Sequence, residues 1–153
     1  MNVPEEIKKL LDSKNTKYKF FEHAPTPTSE IAAKIRGVPL ETGAKAMILR
    51  SKGNFFMCVL RANNKIDFKK MKVILNTNSV SFATADEVKN VAHCIPGAVP
   101  PFGNIFNMPV YCDKKLFNNE IINFNAGLQT ASIQMKVEDW KSIVNPIVED
   151  FTQ

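Results

Sequence analysis

The sequence contains no run of about 18 apolar residues, so nothing in it reads as a membrane-spanning helix. Its opening stretch, Met1-Asn2-Val3-Pro4-Glu5-Glu6, is too polar for a secretory signal, and a cytoplasmic protein is expected. Cysteine is scarce: Cys58, Cys94 and Cys112 form an odd, scattered set. Such a set builds no disulfide framework, and no C-x-x-C pair is present to begin a zinc site. His93-Cys94 is half of a metal site with no second half at ligand spacing, so no metal is expected, and no cofactor. The phosphate-cradling patterns G-x-G-x-x-G and G-x-x-x-x-G-K-[ST] are absent, which argues against a dinucleotide-binding or P-loop protein. H-E-x-x-H and G-x-S-x-G are also absent, and no carboxylate pair falls at an informative spacing.

The 153 residues, 44% hydrophobic and 23% charged, suffice for one ordinary domain with a real core, expected to span 1–153. The formal net charge is +5, an excess of lysine spread along the chain (Lys8, Lys9, Lys14, Lys17, Lys19, Lys34, Lys52, Lys65, Lys69, Lys70 and Lys72 in the first half). A basic surface attracts polyanions, which suits a phosphate-bearing substrate, although solubility alone explains the same charge. Oligomeric state is not legible.

Periodicity and turn chemistry divide the chain into helices and short strands in irregular alternation. Helices are expected over 4–14, from Thr28 or Ser29 to Gly37, over 67–75, and after the capping box Thr84-Ala85-Asp86-Glu87. A last helix carries Trp140, Val144 and Ile147 at helical spacing, interrupted by Pro146. Strands are expected over 18–21, 45–50, 54–60, 80–83, 109–112, 121–125 and 132–135, with Ser51-Lys52-Gly53 as a hairpin turn. Strands joined by hairpins as well as by helices imply an α/β fold of α+β type. Its sheet should be mixed, mostly antiparallel and barrel-like, with helices packed around it.

Three local features could carry chemistry. Lys45 opens an apolar strand, so its ammonium must reach water or pair in a cleft. The bland alternative is a strand-end surface lysine. Gly97-Ala98-Val99-Pro100-Pro101-Phe102-Gly103 is an apolar, proline-stiffened loop bracketed by glycines. Its N–H groups could hold a developing oxyanion, or the loop could only pack Phe102. His23, in His23-Ala24-Pro25-Thr26-Pro27-Thr28, could act as a base or phosphate contact, or merely satisfy loop backbone.

Taken in order, these segments resemble the YbaK / prolyl-tRNA-synthetase-associated family of editing domains. Phe21 to Glu30 resembles the family's H-x-P-T-x-T-x-E segment, and Gly43-Ala44-Lys45-Ala46-Met47-Ile48-Leu49-Arg50 its lysine strand. Asp67-Phe68-Lys69-Lys70 is similar to the start of its middle helix, and Gly97 to Gly103 to its G-x-x-x-P-F/L-G loop. Phe124-Asn125-Ala126-Gly127 and Val137-Glu138-Asp139-Trp140 match its late turn and closing helix.

The resemblance implies hydrolysis of the ester joining an amino acid to the 3′-terminal adenosine of tRNA, without metal. The implied partner is tRNA, and a prolyl-tRNA synthetase is a second expected partner. Implied targets are small residues such as Ala, Cys, Ser or Pro. The resemblance gives Lys45, Gly97 and Pro101 as catalytic positions, and His23, Thr26, Ala98, Val99, Phe102, Gly103 and Gly127 as substrate-binding ones. In this reading Lys45 positions the terminal phosphate or the ester end, N–H groups around Gly97 to Val99 bind the carbonyl oxygen, and the ribose hydroxyl helps activate water. Some subfamilies carry a histidine in the late turn, where Asn125 to Thr130 has none. Phe55, Met47, Ile48 and Leu128 are candidates for setting pocket size. The rival readings are a non-catalytic tRNA- or nucleotide-binding module and an editing piece of a larger synthetase.

Overall fold

The computed structural model describes all residues from Met1 to Gln153. Five helices and eight strands follow one another as α1 (Val3–Ser13), β1 (Tyr18–Glu22), α2 (Ser29–Arg36), β2 (Ala44–Ser51), β3 (Asn54–Arg61), α3 (Phe68–Leu75), β4 (Ser81–Phe82), α4 (Ala85–Ala92), β5 (Val110–Asp113), β6 (Ile121–Asn125), β7 (Ala131–Lys136), α5 (Val137–Val144) and β8 (Ile147–Glu149). The helix ends follow from local chemistry. The Thr28 hydroxyl accepts from the Ile31 N–H at the start of α2, and Gly37 closes that helix in the left-handed conformation at φ 70°. Thr84 and Glu87 form the expected capping box.

The strands make two sheets, one of three strands in the order β1-β7-β6 and one of five in the order β4-β2-β3-β5-β8. Pairing is antiparallel except for β3 with β5 and β5 with β8. The mixed, mostly antiparallel expectation holds, but the sheets do not close into a barrel. They are joined by one bridge, between Gly43, just before β2, and Asn123 in the middle of β6. Strand alternation explains how the larger sheet is buried on both faces. Met57 and Val59 of β3 join the main core with Ile7, Leu11, Phe124, Ile133 and Trp140, whereas Phe56, Cys58 and Leu60 join a second core with Met71 and Phe151.

The last helix is shorter than the sequence pattern implies. It stops at Val144, Asn145 adopts the left-handed conformation at φ 51°, and Pro146 cannot donate to a continuing helix. Ile147 instead begins β8, parallel to β5. The following residues are pinned by the buried Asp113 carboxylate, which accepts from the Phe151 N–H (2.9 Å) and the Thr152 hydroxyl (3.3 Å).

Candidate functional site

A pocket of about 290 Å³ opens where the two sheets meet. One wall is the start of β2, from Gly43 to Met47, and another is the end of β6, from Asn123 to Asn125. Helix α2 contributes Ser29, Ala32, Ala33 and Arg36, and the loop before it contributes Thr26 to Thr28. Val38 to Leu40, Ala62, Gly97 and Val99 complete the lining. No membrane-length apolar helix occurs anywhere in the chain.

The only ionisable side chains in the lining are two cations, Lys45 and Arg36. Lys45 is half-buried, and its Nζ donates to the Ala62 carbonyl at 3.3 Å. Burial holds its pKa below the usual lysine value, an effect opposed by the Glu30 carboxylate and reinforced by Lys65. Burial also lowers the Arg36 pKa, to about 10, so the guanidinium is still a cation at neutral pH. The four ion pairs of the fold, Lys8–Glu5, Arg50–Glu87, Lys70–Asp150 and Lys114–Asp150, include neither residue.

A polar network runs behind the pocket. Arg36 Nε–H donates to Ser132 Oγ (2.9 Å) and an Nη2–H donates to Asn125 Oδ1 (2.9 Å). Asn125 Nδ2 in turn donates to the Gly97 carbonyl (2.9 Å). His23 Nδ1 lies 2.7 Å from the Ala24 carbonyl, which can only accept, so that nitrogen carries a proton. In a neutral ring Nε2 is then the acceptor for the Ser132 hydroxyl, 2.7 Å away. The Thr26 hydroxyl, also buried, sits within reach of Asn125 Oδ1 (3.2 Å) and the Gln129 carbonyl (3.0 Å).

Of the residues singled out in the sequence, Lys45, Thr26, Gly97 and Val99 line this pocket together. Ala98, Pro101, Phe102, Gly103, Gly127 and His23 lie outside the lining and support it. Ala98 is fully buried, its N–H is taken by the Ile95 carbonyl and its own carbonyl accepts from Gly127 N–H. The N–H groups of Gly97 and Val99 have no partner within the chain, so these two, and not Ala98, are free to bind a carbonyl oxygen. The Pro101 carbonyl accepts the Trp140 indole N–H at 2.7 Å, and Phe102 packs edge-on against Phe124. A side chain at Gly103 would strike Val110, and one at Gly127 (φ 96°) would strike Val3. Of the candidate pocket-sizing residues only Met47 reaches the lining; Ile48 is in the core, and Leu128 is exposed.

The pocket walls hold no histidine, cysteine or carboxylate. All three thiols are buried and free, and burial pushes the Cys94 pKa up to about 11, too high for a thiolate nucleophile at neutral pH. No group of three or more His, Cys, Asp and Glu side chains is gathered to hold a metal ion. With no histidine, thiol or carboxylate in its walls to serve as a base or to activate the lining hydroxyls, the pocket suits a reaction on an already activated bond, performed by a positioned water.

The profile of the aminoacyl-tRNA editing domain matches residues 23–143. The chain belongs to that family. The multifunctional Ser/Thr-tRNA deacylase ProXp-y of Escherichia coli K12 is 29% identical over 147 residues, covering 93% of this chain and 88% of that protein. The prolyl-tRNA editing protein ProX of Acetoanaerobium sticklandii is 27% identical, covering 94% and 92%. A solved structure described as a proposed trans-editing enzyme for prolyl tRNA synthetase has the same fold, with a TM-score of 0.88 at 19% identity over 100% of this chain and 98% of that one. The sequence resemblance and the expected enzyme class, an aminoacyl-tRNA deacylase, agree with these relatives. Arg36, Asn123 and Ser132 carry no site signal in the sequence, and Asn125 enters it only as part of the late turn, because the contacts that define them join separate segments.

Proposed function

We propose that residues 1–153 act as one editing unit in the cytoplasm, removing a small amino acid from the 3′ end of mischarged tRNA in trans. The observation that carries the reading is a cationic pocket with two unpartnered N–H groups, at Gly97 and Val99, and no histidine, thiol or carboxylate in its walls. An aminoacyl ester is activated already, so the domain must hold it, place a water and stabilise the oxyanion. Lys45 sets the ester end or the adjoining phosphate as a compact cation. The Gly97 and Val99 N–H groups receive the carbonyl oxygen as it gains charge, and the ribose hydroxyl helps activate the water.

Volume supports a small amino acid. About 290 Å³ lies at the lower end of ligand-pocket sizes, enough for the acylated end of a nucleotide with a short side chain. The hydroxyls of Thr26, Thr28 and Ser29 favour a polar side chain such as serine or threonine, the specificity named for the Escherichia coli relative. A prolyl-tRNA synthetase, whose charging errors such a domain would correct, is the expected protein partner.

The test is a deacylation panel of Ala-, Ser-, Cys-, Thr- and Pro-tRNA, each cognate and mischarged, with wild type and Lys45→Ala. Wild type is expected to clear mischarged tRNA bearing a small residue, with Lys45→Ala slower by roughly 100-fold, the scale of one lost transition-state contact. A folded Lys45→Ala protein with unchanged deacylation sinks the role of Lys45. A wild type that binds tRNA without deacylating any member of the panel would make the domain a binding module.

A further inference from the structure

We propose that Arg36 is a second anion-binding residue of this pocket, holding the phosphate of the acylated terminal nucleotide together with Lys45. The inference rests on the editing reading above. It goes beyond that reading by naming a second residue, Arg36, that neither the sequence features nor the relatives' names assign, and by committing the two cations to the phosphate.

Arg36 is a partly buried cation with no carboxylate partner. Removing a guanidinium from water is costly, and a protein interior usually meets the cost with an acid. Here only neutral oxygens meet it, those of Ser132 and Asn125. Those two bonds use two of the five guanidinium N–H groups and leave three for a ligand. They also fix the plane of the fork. Ser132 and Asn125 are themselves buried, and Asn125 is anchored on the Gly97 carbonyl, so the guanidinium is preorganised before substrate arrives.

Charge selects the ligand group. The acylated end of a tRNA offers one anion, the phosphodiester, and one cation, the α-ammonium of the amino acid. A wall with two cations and no acid repels the second and attracts the first. The planar fork of arginine also matches phosphate oxygens better than a point charge does. The Asn125 link ties this phosphate clamp to Gly97, so that seating the phosphate and presenting the Gly97 N–H to the ester carbonyl become one event.

The experiment compares two minimal esters, 3′-O-seryl adenosine and 3′-O-seryl adenosine 5′-phosphate, by kcat/KM. Wild type is expected to prefer the phosphorylated ester. In Arg36→Gln the ratio of kcat/KM on the phosphorylated ester to that on the unphosphorylated one should fall about tenfold, whatever the change in the rate common to both, and Arg36→Lys should recover part of that ratio. An unchanged preference in a folded Arg36→Gln protein overturns the proposal. If Arg36→Gln does not fold, wild-type protein labelled with ¹⁵N decides. The Arg36 Nε–H resonance should shift on titration with adenosine 5′-phosphate and not with adenosine, and equal responses to both overturn the proposal. Failure of the editing reading looks different: wild type would hydrolyse neither ester, whatever the resonance does.

Discussion

At Lys45 function and stability pull in opposite directions. Burial lowers its pKa, so the folded protein holds this proton less tightly than the unfolded chain does. The cost to folding is therefore full at pH values below the folded pKa, and it fades as pH rises from there to the ordinary lysine value. At pH 7 the cost is present, and Lys45→Met should melt no lower than wild type while kcat/KM falls roughly 100-fold. Thermal melts and deacylation rates on the same preparations check this. The alkaline limb of kcat/KM should begin below the ordinary lysine range in wild type and move upward in Lys45→Arg, because arginine keeps its charge. An alkaline limb that stays in place in Lys45→Arg assigns it to another group. Asn125 deserves a parallel test, since it bridges Arg36 and the Gly97 carbonyl. Asn125→Ala leaves the Gly97 carbonyl without its partner and Arg36 with Ser132 alone, and should cost about 1–3 kcal/mol of stability. It should also slow deacylation by more than tenfold, read from denaturant midpoints and single-turnover rates.

Among the elements, the loop from Gly97 to Gly103 is held from behind by α5, through the 2.7 Å bond from the Trp140 indole to the Pro101 carbonyl. Trp140→Phe keeps most of the apolar surface and removes that donor, so a buried carbonyl goes unpaired at a cost of about 1–3 kcal/mol. The loop should then loosen, with amide exchange speeding up at Ala98 and Phe102, whose N–H groups are bonded to Ile95 and Pro100, more than at strand residues such as Val59. Most elements could be read from the sequence because their signals are local. The Thr84–Glu87 capping box, Gly37 after α2 and the Lys52-Gly53 turn each act within a few residues. Strand β8 could not, because Ile147 continues the spacing of Trp140 and Val144 by coincidence, and only pairing with β5 reveals its true state. The site was legible in the same uneven way. Lys45 stood out as a charge in an apolar strand, whereas Arg36 looked like any cation near a helix end until Asn125 and Ser132 arrived from β6 and β7.

For the molecule as a whole, the question is whether the charge of +5 serves the reaction or only solubility. Of the lysines and arginines, only Lys8, Arg50, Lys70 and Lys114 are engaged in ion pairs, so most of the positive charge is available to an incoming polyanion. Lys65 is close enough to Lys45 to depress its pKa, so part of that charge gathers near the pocket. If these groups contact tRNA phosphates beyond the terminal one, each contact releases condensed counterions and makes binding fall with salt. Two or three such contacts predict that kcat/KM on mischarged tRNA falls by about tenfold between roughly 50 and 200 mM NaCl. A minimal aminoacyl-adenosine ester has no such contacts and should change less than about twofold over the same range. The comparison separates the two roles of charge, because Lys45 and Arg36 are shielded in the pocket and the outer lysines are not. Equal salt dependence for the two substrates would confine recognition to the pocket and leave the outer lysines with solubility alone.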